Sequence, residues 1–170
     1  MDQLQDASAV RETLRELVGE LLAACQQRKL MLTTAESCTG GMVAAALTAV
    51  AGSSAVYERG FVTYSNEAKT EILGVAPSLL EKHGAVSEPV ARAMAEGAIA
   101  HSRADIAISV TGIAGPGGGT AEKPVGLVHF ATARRDGATL SEKRVFAGDR
   151  DAIRLAAVAV ALRLIVGRLA

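Results

Sequence analysis

Apolar residues along the first third of the chain fall into two periods. Val10, Leu14, Leu17, Val18, Leu21 and Leu22 recur at helical spacing and give one apolar face, so residues 1–28 are expected to form an amphipathic helix. "LMLTTAES" then reads as a buried strand running into a loop, and "TGGMVAAALTAV" as an Ala-rich helix starting near Thr39. "AGSSAVYERG" breaks the pattern and "GFVTYS" restores a strand. "NEAKTEIL" predicts a short helix capped by Asn66 and stopped by Gly74. A longer helix follows in "SEPVARAMAEGAIAHS", with Ser87 as N-cap and Pro89 in its first turn. "DIAISVT" is too apolar to be half-exposed and predicts a central strand. After a Gly-rich loop, "GIAGPGGGTAEKP", the segment "VGLVHFATARRDGATLSEKRVF" predicts a hairpin about Asp136-Gly137. A final helix, residues 149–169, starts at Asp149 or Asp151. Helices and strands alternate before the hairpin, which predicts an α/β fold: a three-layer α/β/α sandwich with a mixed sheet, in a single domain spanning residues 1–170.

Composition narrows the function classes. The 18 basic and 18 acidic residues balance, and aromatics are few, with three Phe, two Tyr and no Trp. A neutral chain poor in stacking residues lacks the footprint of a nucleic-acid binder. No apolar run is long enough for a membrane span, and the charged start lacks the pattern of a signal peptide, so a cytoplasmic protein without membrane or nucleic-acid partners is expected. Cys25 and Cys38 are too few for a disulfide framework, and His83, His101 and His129 stand apart without ligand spacing, so no metal is expected.

Three polar loops follow or interrupt the strands: "AESCTGG", the stretch from "GSS" to "YSNEAK", and "TGIAGPGGG". Ligands of open α/β sheets bind outside the carboxyl ends of strands, which suits the first and third. The first also opens a helix, whose free N–H groups attract an anion such as a phosphate. None is a standard nucleotide fingerprint. In the second loop a serine nucleophile would need a base. Lysine can serve if burial lowers its pKa from about 10.4, and tyrosine can relay or orient. Tyr64 and Lys69 are so spaced that both could face one cleft, with Ser54 just before them; the plainer reading is a solvated helix lysine and a strand-end tyrosine. Cys38, near a helix N-terminus, is a rival nucleophile without a base close in sequence.

"TTAESCTGGMVAAALTAVAGSSAVYERGFVTYSNEAK", "GAVSEPVARAMAEGA", "ISVTGIAGPGGGTAEKPVGLVHFA" and "FAGDRDAIR" closely resemble the CinA C-terminal domain family, and within it the stand-alone PncC-type nicotinamide mononucleotide (NMN) deamidases. The resemblance covers nearly the whole chain. It implies a metal-independent serine amidohydrolase without cofactor. The reaction is hydrolysis of the NMN carboxamide to nicotinic acid mononucleotide and ammonia in pyridine-nucleotide recycling. It also implies a homo-oligomer, a dimer first. By the family's pattern the nucleophile falls on Ser54, with neighbouring Ser53 and Ser37 as further candidates, the base on Lys69 and its partner on Tyr64. The substrate would be bound by Glu36, Ser37, Thr39, Gly40 and Gly41 of the first loop, by Thr111, Gly112 and Gly115 of the third, and by Arg150 of "GDR". Either Arg150 or the "SCTGG" amides would hold the phosphate. Two other functions stay open: a pyridine-nucleotide-binding regulatory module without turnover, and an amidase for another carboxamide.

Overall fold

The computed structural model describes residues 2–169, and for residues 2–9 and 11 the backbone path alone, so Met1 of the expected helix lies outside the described residues, while the apolar pattern from Val10 to Leu22 lies within them. The chain runs α1 (Asp2–Arg28), β1 (Leu32–Glu36), α2 (Met42–Thr48), β2 (Tyr57–Val62), α3 (Asn66–Leu73), α4 (Pro77–His83), α5 (Glu88–Ala100), β3 (Ile106–Gly112), β4 (Leu127–Arg134), β5 (Gly137–Val145) and α6 (Arg150–Val166). One sheet has the order β2-β1-β3-β4-β5. β2, β1 and β3 are parallel, and the β4–β5 hairpin continues the sheet antiparallel from β3. This is the mixed sheet expected, with "DIAISVT" at its centre.

Alternation along the strands sorts side chains to two faces. Leu32, Ile106, Ile108, Val110, Val128 and Phe130 pack under α1, α2 and α6. The opposite face is built of small residues, Ala35, Ala107, Ala131 and Ala133, against which α5 lies with Val90, Ala91, Met94 and Ala98. The small side chains of the sheet let α5 approach closely enough for the Ser109 hydroxyl to donate to the Ala91 carbonyl (2.6 Å). Gly97 sustains a second close approach: a Cβ there would collide with the backbone carbonyl of Leu73, at the end of α3. Helix α3, which carries Lys69, is thereby seated against α5.

Several local readings shift. β2 ends at Val62 rather than Ser65, because the Thr63 N–H to Glu36 carbonyl bond (2.8 Å) closes the ladder and the chain then turns into α3. The α3 cap is Ser65, whose Oγ accepts from the Ala68 N–H (3.0 Å), not Asn66. Ser87 occupies the N-cap of α5 but its hydroxyl donates to the Gly84 carbonyl (2.8 Å). α4 was not expected; it is one short segment started by Pro77, with too few apolar positions to show a period. Asp149 caps α6 by accepting from the Ala152 N–H. Among the described residues no helix is long and apolar enough to cross a membrane.

Gly97→Ala is expected to lower stability by about 1–3 kcal/mol, although Ala is the better helix former by about 1 kcal/mol, because the clash is with backbone that cannot rotate away. The urea midpoint measures it; an unchanged or raised midpoint would show that the α3–α5 contact is not tight.

Candidate active site

The parallel strands β1, β2 and β3 deliver three loops to the carboxyl edge of the sheet, and α6 begins beside them. Together they enclose a cleft of about 290 Å³ lined by Ser37, Cys38, Tyr64, Lys69, Thr111 and Arg150, among others. The cleft thus lies where an α/β sheet of this kind places ligands.

Lys69 is its most unusual member. Ser65 caps α3 immediately after β2, so the first turn of α3 folds back over the sheet edge and carries the Lys69 side chain inward to 1% exposure. Nζ lies 2.8 Å from the Thr63 carbonyl oxygen, 3.5 Å from that of Ser65 and 3.1 Å from Ser37 Oγ. No carboxylate pairs with it among these contacts. Burial therefore holds its pKa below the ordinary lysine value, only partly opposed by the neighbouring Cys38. A neutral amine has two N–H groups and one lone pair. Two carbonyls take the N–H groups, and the lone pair is left for the Ser37 hydroxyl. Charged, Nζ donates to all three oxygens; neutral, it can accept the Ser37 O–H across the same 3.1 Å contact, the arrangement that a serine nucleophile and its base would need.

Tyr64 is largely exposed, and its Oη accepts from Arg150 Nη2 (3.0 Å). Arg150 also donates from Nη1 to the Gly115 carbonyl (2.8 Å), tying the third loop to the start of α6. With its lone pair engaged, the phenol keeps its own proton to donate. The Thr111 hydroxyl donates to the Ala85 carbonyl (2.9 Å) and keeps acceptor capacity in the cleft. Gly112 is needed for packing: a Cβ there would press on the Leu127 carbonyl oxygen at 2.8 Å.

The first loop departs most from expectation. Glu36 does not face the cleft. It ends β1 fully buried on the α2 side, and its carboxylate accepts from the N–H groups of Gly41 (3.1 Å), Val43 (3.0 Å) and Ala44 (2.8 Å). The N–H groups of Gly40 and Met42 bond to the carbonyls of Ser37 and Thr39. The Gly40 and Gly41 amides are thus already engaged within the loop and offer a phosphate no free N–H, and the Glu36 carboxylate is taken up by the start of α2. Gly40 and Gly41 instead make the turn, with φ of 58° and 98°. Thr39 is buried, with its hydroxyl unpaired. Two amides of the loop remain: among the described residues the N–H groups of Cys38 and Thr39 donate to no other residue.

Ser54 is likewise displaced. It sits exposed in a single 3-10 turn, Ser53–Ala55, ahead of β2. Tyr57 at the start of β2 pairs with Leu32 at the start of β1, whereas Ser37 follows the far end of β1. Ser53 and Ser54 therefore lie beyond the opposite edge of the sheet, about 15 Å from the cleft at the usual rise per strand residue. Proximity in sequence to Tyr64 misled, because a strand separates its two ends. Ser37, the third candidate, is the serine that meets Lys69. Cys38 lines the cleft too, but burial pushes its thiol up to about 11, so it stays protonated at neutral pH. The histidines remain apart: His101 Nδ1 lies on the Gly97 carbonyl of α5, and His129 is in β4.

A mixed-sheet α/β domain with a serine hydroxyl on a buried, unpaired lysine at its carboxyl edge defines a hydrolase-like class of site. The comparisons with known proteins make the assignment narrower. The CinA C-terminal domain matches residues 12–169, and the chain belongs to that family. It is 55% identical over 150 residues to nicotinamide-nucleotide amidohydrolase PncC of Enterobacter agglomerans, covering 88% of this chain and 92% of the relative. It is 56% identical to the protein of the same name from Escherichia coli K12, covering 88% and 89%. The crystal structure of competence/damage inducible protein CihA from Agrobacterium tumefaciens superposes with a TM-score of 0.89 at 52% identity, over 91% of this chain and 94% of that one.

Replacing Lys69 by Met should change the pH dependence of stability in a defined sense. Between the lowered folded pKa of Lys69 and about 10.4, the unfolded chain binds more protons, so wild-type stability gains from this group as pH rises. The stability of wild type relative to Lys69→Met should rise with pH up to about 10, read from urea midpoints. A pH-independent difference would mean that Lys69 titrates as an ordinary lysine.

Proposed function

We propose that this protein is a nicotinamide-nucleotide amidase that hydrolyses the carboxamide of NMN to nicotinic acid mononucleotide and ammonia, with Ser37 as nucleophile, Lys69 as base and Tyr64 as proton donor. The observation that carries the reading is the 3.1 Å approach of Ser37 Oγ to the buried Lys69 Nζ. Its support in substrate class comes from the names of the PncC relatives that share more than half of their aligned residues with this chain.

In the first half-reaction the Ser37 proton passes to the Lys69 lone pair as Oγ bonds to the carboxamide carbon. The carbonyl electron pair moves onto oxygen, and the Cys38 and Thr39 N–H groups receive the resulting oxyanion. An amide following the nucleophile is a recurring donor for this purpose. Collapse breaks the C–N bond, and the leaving nitrogen takes a proton from Lys69 or Tyr64 and departs as ammonia. In the second half a water molecule gives its proton to the base and its oxygen to the acyl carbon. Oγ leaves with a proton, and nicotinic acid mononucleotide is released. Arg150 is the cation at the cleft mouth suited to the phosphate, with a guanidinium that can bond two oxygens. No step of this scheme calls on a metal, and such a reaction serves pyridine-nucleotide recycling.

Ammonia release from NMN by purified protein in the presence of EDTA tests the proposal. Wild type and Ser54→Ala should release ammonia at similar rates, and Ser37→Ala should lose at least about 10³-fold in kcat. Activity retained by Ser37→Ala, or lost in Ser54→Ala, would overturn the assignment. NMN binding without ammonia release by wild type would favour a regulatory module.

A further inference from the structure

We propose that Arg154 is the positioning residue that aims the oxyanion-binding amides of the active-site loop. The inference rests on the Ser37 reading above and adds to it a residue outside the cleft. Arg154 lies one helical turn along α6 from Arg150. Its guanidinium donates from Nε to the Cys38 carbonyl and from Nη2 to the Thr39 carbonyl, both at 3.1 Å. One planar group thus clamps two successive carbonyls in the loop that follows Ser37.

The consequence follows from peptide geometry. In a planar trans peptide the C=O and the next N–H point in opposite directions. Fixing the Cys38 carbonyl on Arg154 turns the Thr39 N–H to the opposite side, away from α6. Fixing the Thr39 carbonyl likewise turns the Gly40 N–H away, where it closes the turn on the Ser37 carbonyl (3.0 Å). That bond in turn directs the Cys38 N–H opposite to the Ser37 carbonyl. Glu36 holds the far end of the same loop through Gly41, Val43 and Ala44. The loop is pinned by the Glu36 carboxyl at its C-terminal end and by the Arg154 guanidinium behind its middle, and the Cys38 and Thr39 amides between them donate to no other residue. A loop this tight has few alternative states, but a flip of the Cys38–Thr39 peptide would present a carbonyl where a donor is needed. Arg154 holds that peptide in one of its two orientations.

Other roles for Arg154 are weak. Its contact with Asp151 is 3.9 Å to a carboxylate that is 93% exposed, which is worth little in water. Gly40 supplies the left-handed turn of the clamped loop, with φ of 58°. Lysine cannot replace the fork, because a single ammonium cannot meet both carbonyls in one plane.

The test is steady-state NMN hydrolysis by wild type, Arg154→Met, Arg154→Lys, Asp151→Asn and Ser37→Ala, with unfolding temperatures measured alongside. Arg154→Met should lose about 10²-fold in kcat with KM within about threefold of wild type, the loss seen when an oxyanion donor is removed. Arg154→Lys should fall between the two, Asp151→Asn should match wild type, and millimolar guanidinium should restore part of the kcat of Arg154→Met. The inference is overturned if Arg154→Met and Arg154→Lys keep kcat within threefold of wild type. It is also overturned if kcat and unfolding temperature fall together without guanidinium rescue. These outcomes, with wild type active and Ser37→Ala inactive, leave the serine reading standing. Activity retained by Ser37→Ala, or absent from wild type, overturns both.

Discussion

At 1% exposure the Lys69 amine is surrounded by carbonyls and a serine hydroxyl instead of a carboxylate, and burial without a counter-charge lowers its pKa. That one constraint organises the site. It requires α3 to begin directly at the sheet edge, which Ser65 achieves by capping the helix as soon as β2 ends. It requires α3 to be pressed down, which Gly97 permits by admitting the Leu73 carbonyl against α5. And it requires a small polar partner at the end of β1, which is Ser37. The chemistry proposed here is the relief of that constraint. A buried amine that is reluctant to hold a proton is a base that takes one from Ser37 and returns it to a leaving group.

The two faces of the sheet divide the labour. The face under α5 is packed with alanine and holds the helix that carries Lys69 and the turn whose Ala85 carbonyl accepts from Thr111. The face under α1, α2 and α6 is packed with larger aliphatic residues and holds the helix that carries Arg150 and Arg154. Charge is handled by internal pairing of polar groups with backbone. Glu36 bonds three amides, Arg154 two carbonyls, Arg150 one carbonyl and the Tyr64 phenol. These contacts shape the loops, so the cleft is built of backbone held in place by buried or half-buried side chains.

Much of the fold was legible in the sequence because its signals are local. Period and caps marked the long helices, the apolar run "DIAISVT" (105–111) marked a central strand, and Asp136-Gly137 marked the hairpin. The residues of the cleft were legible in part: Tyr64, Lys69, Thr111 and Arg150 were each singled out, and the structure brings them to one place. What failed was pairing across the sheet. Ser54 is close to Lys69 in the chain but across β2 in space, while Ser37 is distant in the chain and adjacent in space, and only the parallel β1–β2 register makes that plain. Glu36, which the resemblance places among the substrate contacts, ends a strand whose alternation turns it inward, and there its carboxylate bonds the amides at the start of α2. Arg154 carried one hint, its spacing of four from Arg150, which puts both on one side of α6.

The most direct measurement is the titration of the Lys69 amine, followed by NMR of lysine labelled at the side-chain carbon and nitrogen and assigned with Lys69→Met. The account predicts a pKa clearly below about 10.4, the ordinary lysine value, that moves when Ser37 is changed to Ala. A Lys69 that titrates with the surface lysines, indifferent to Ser37, would contradict it.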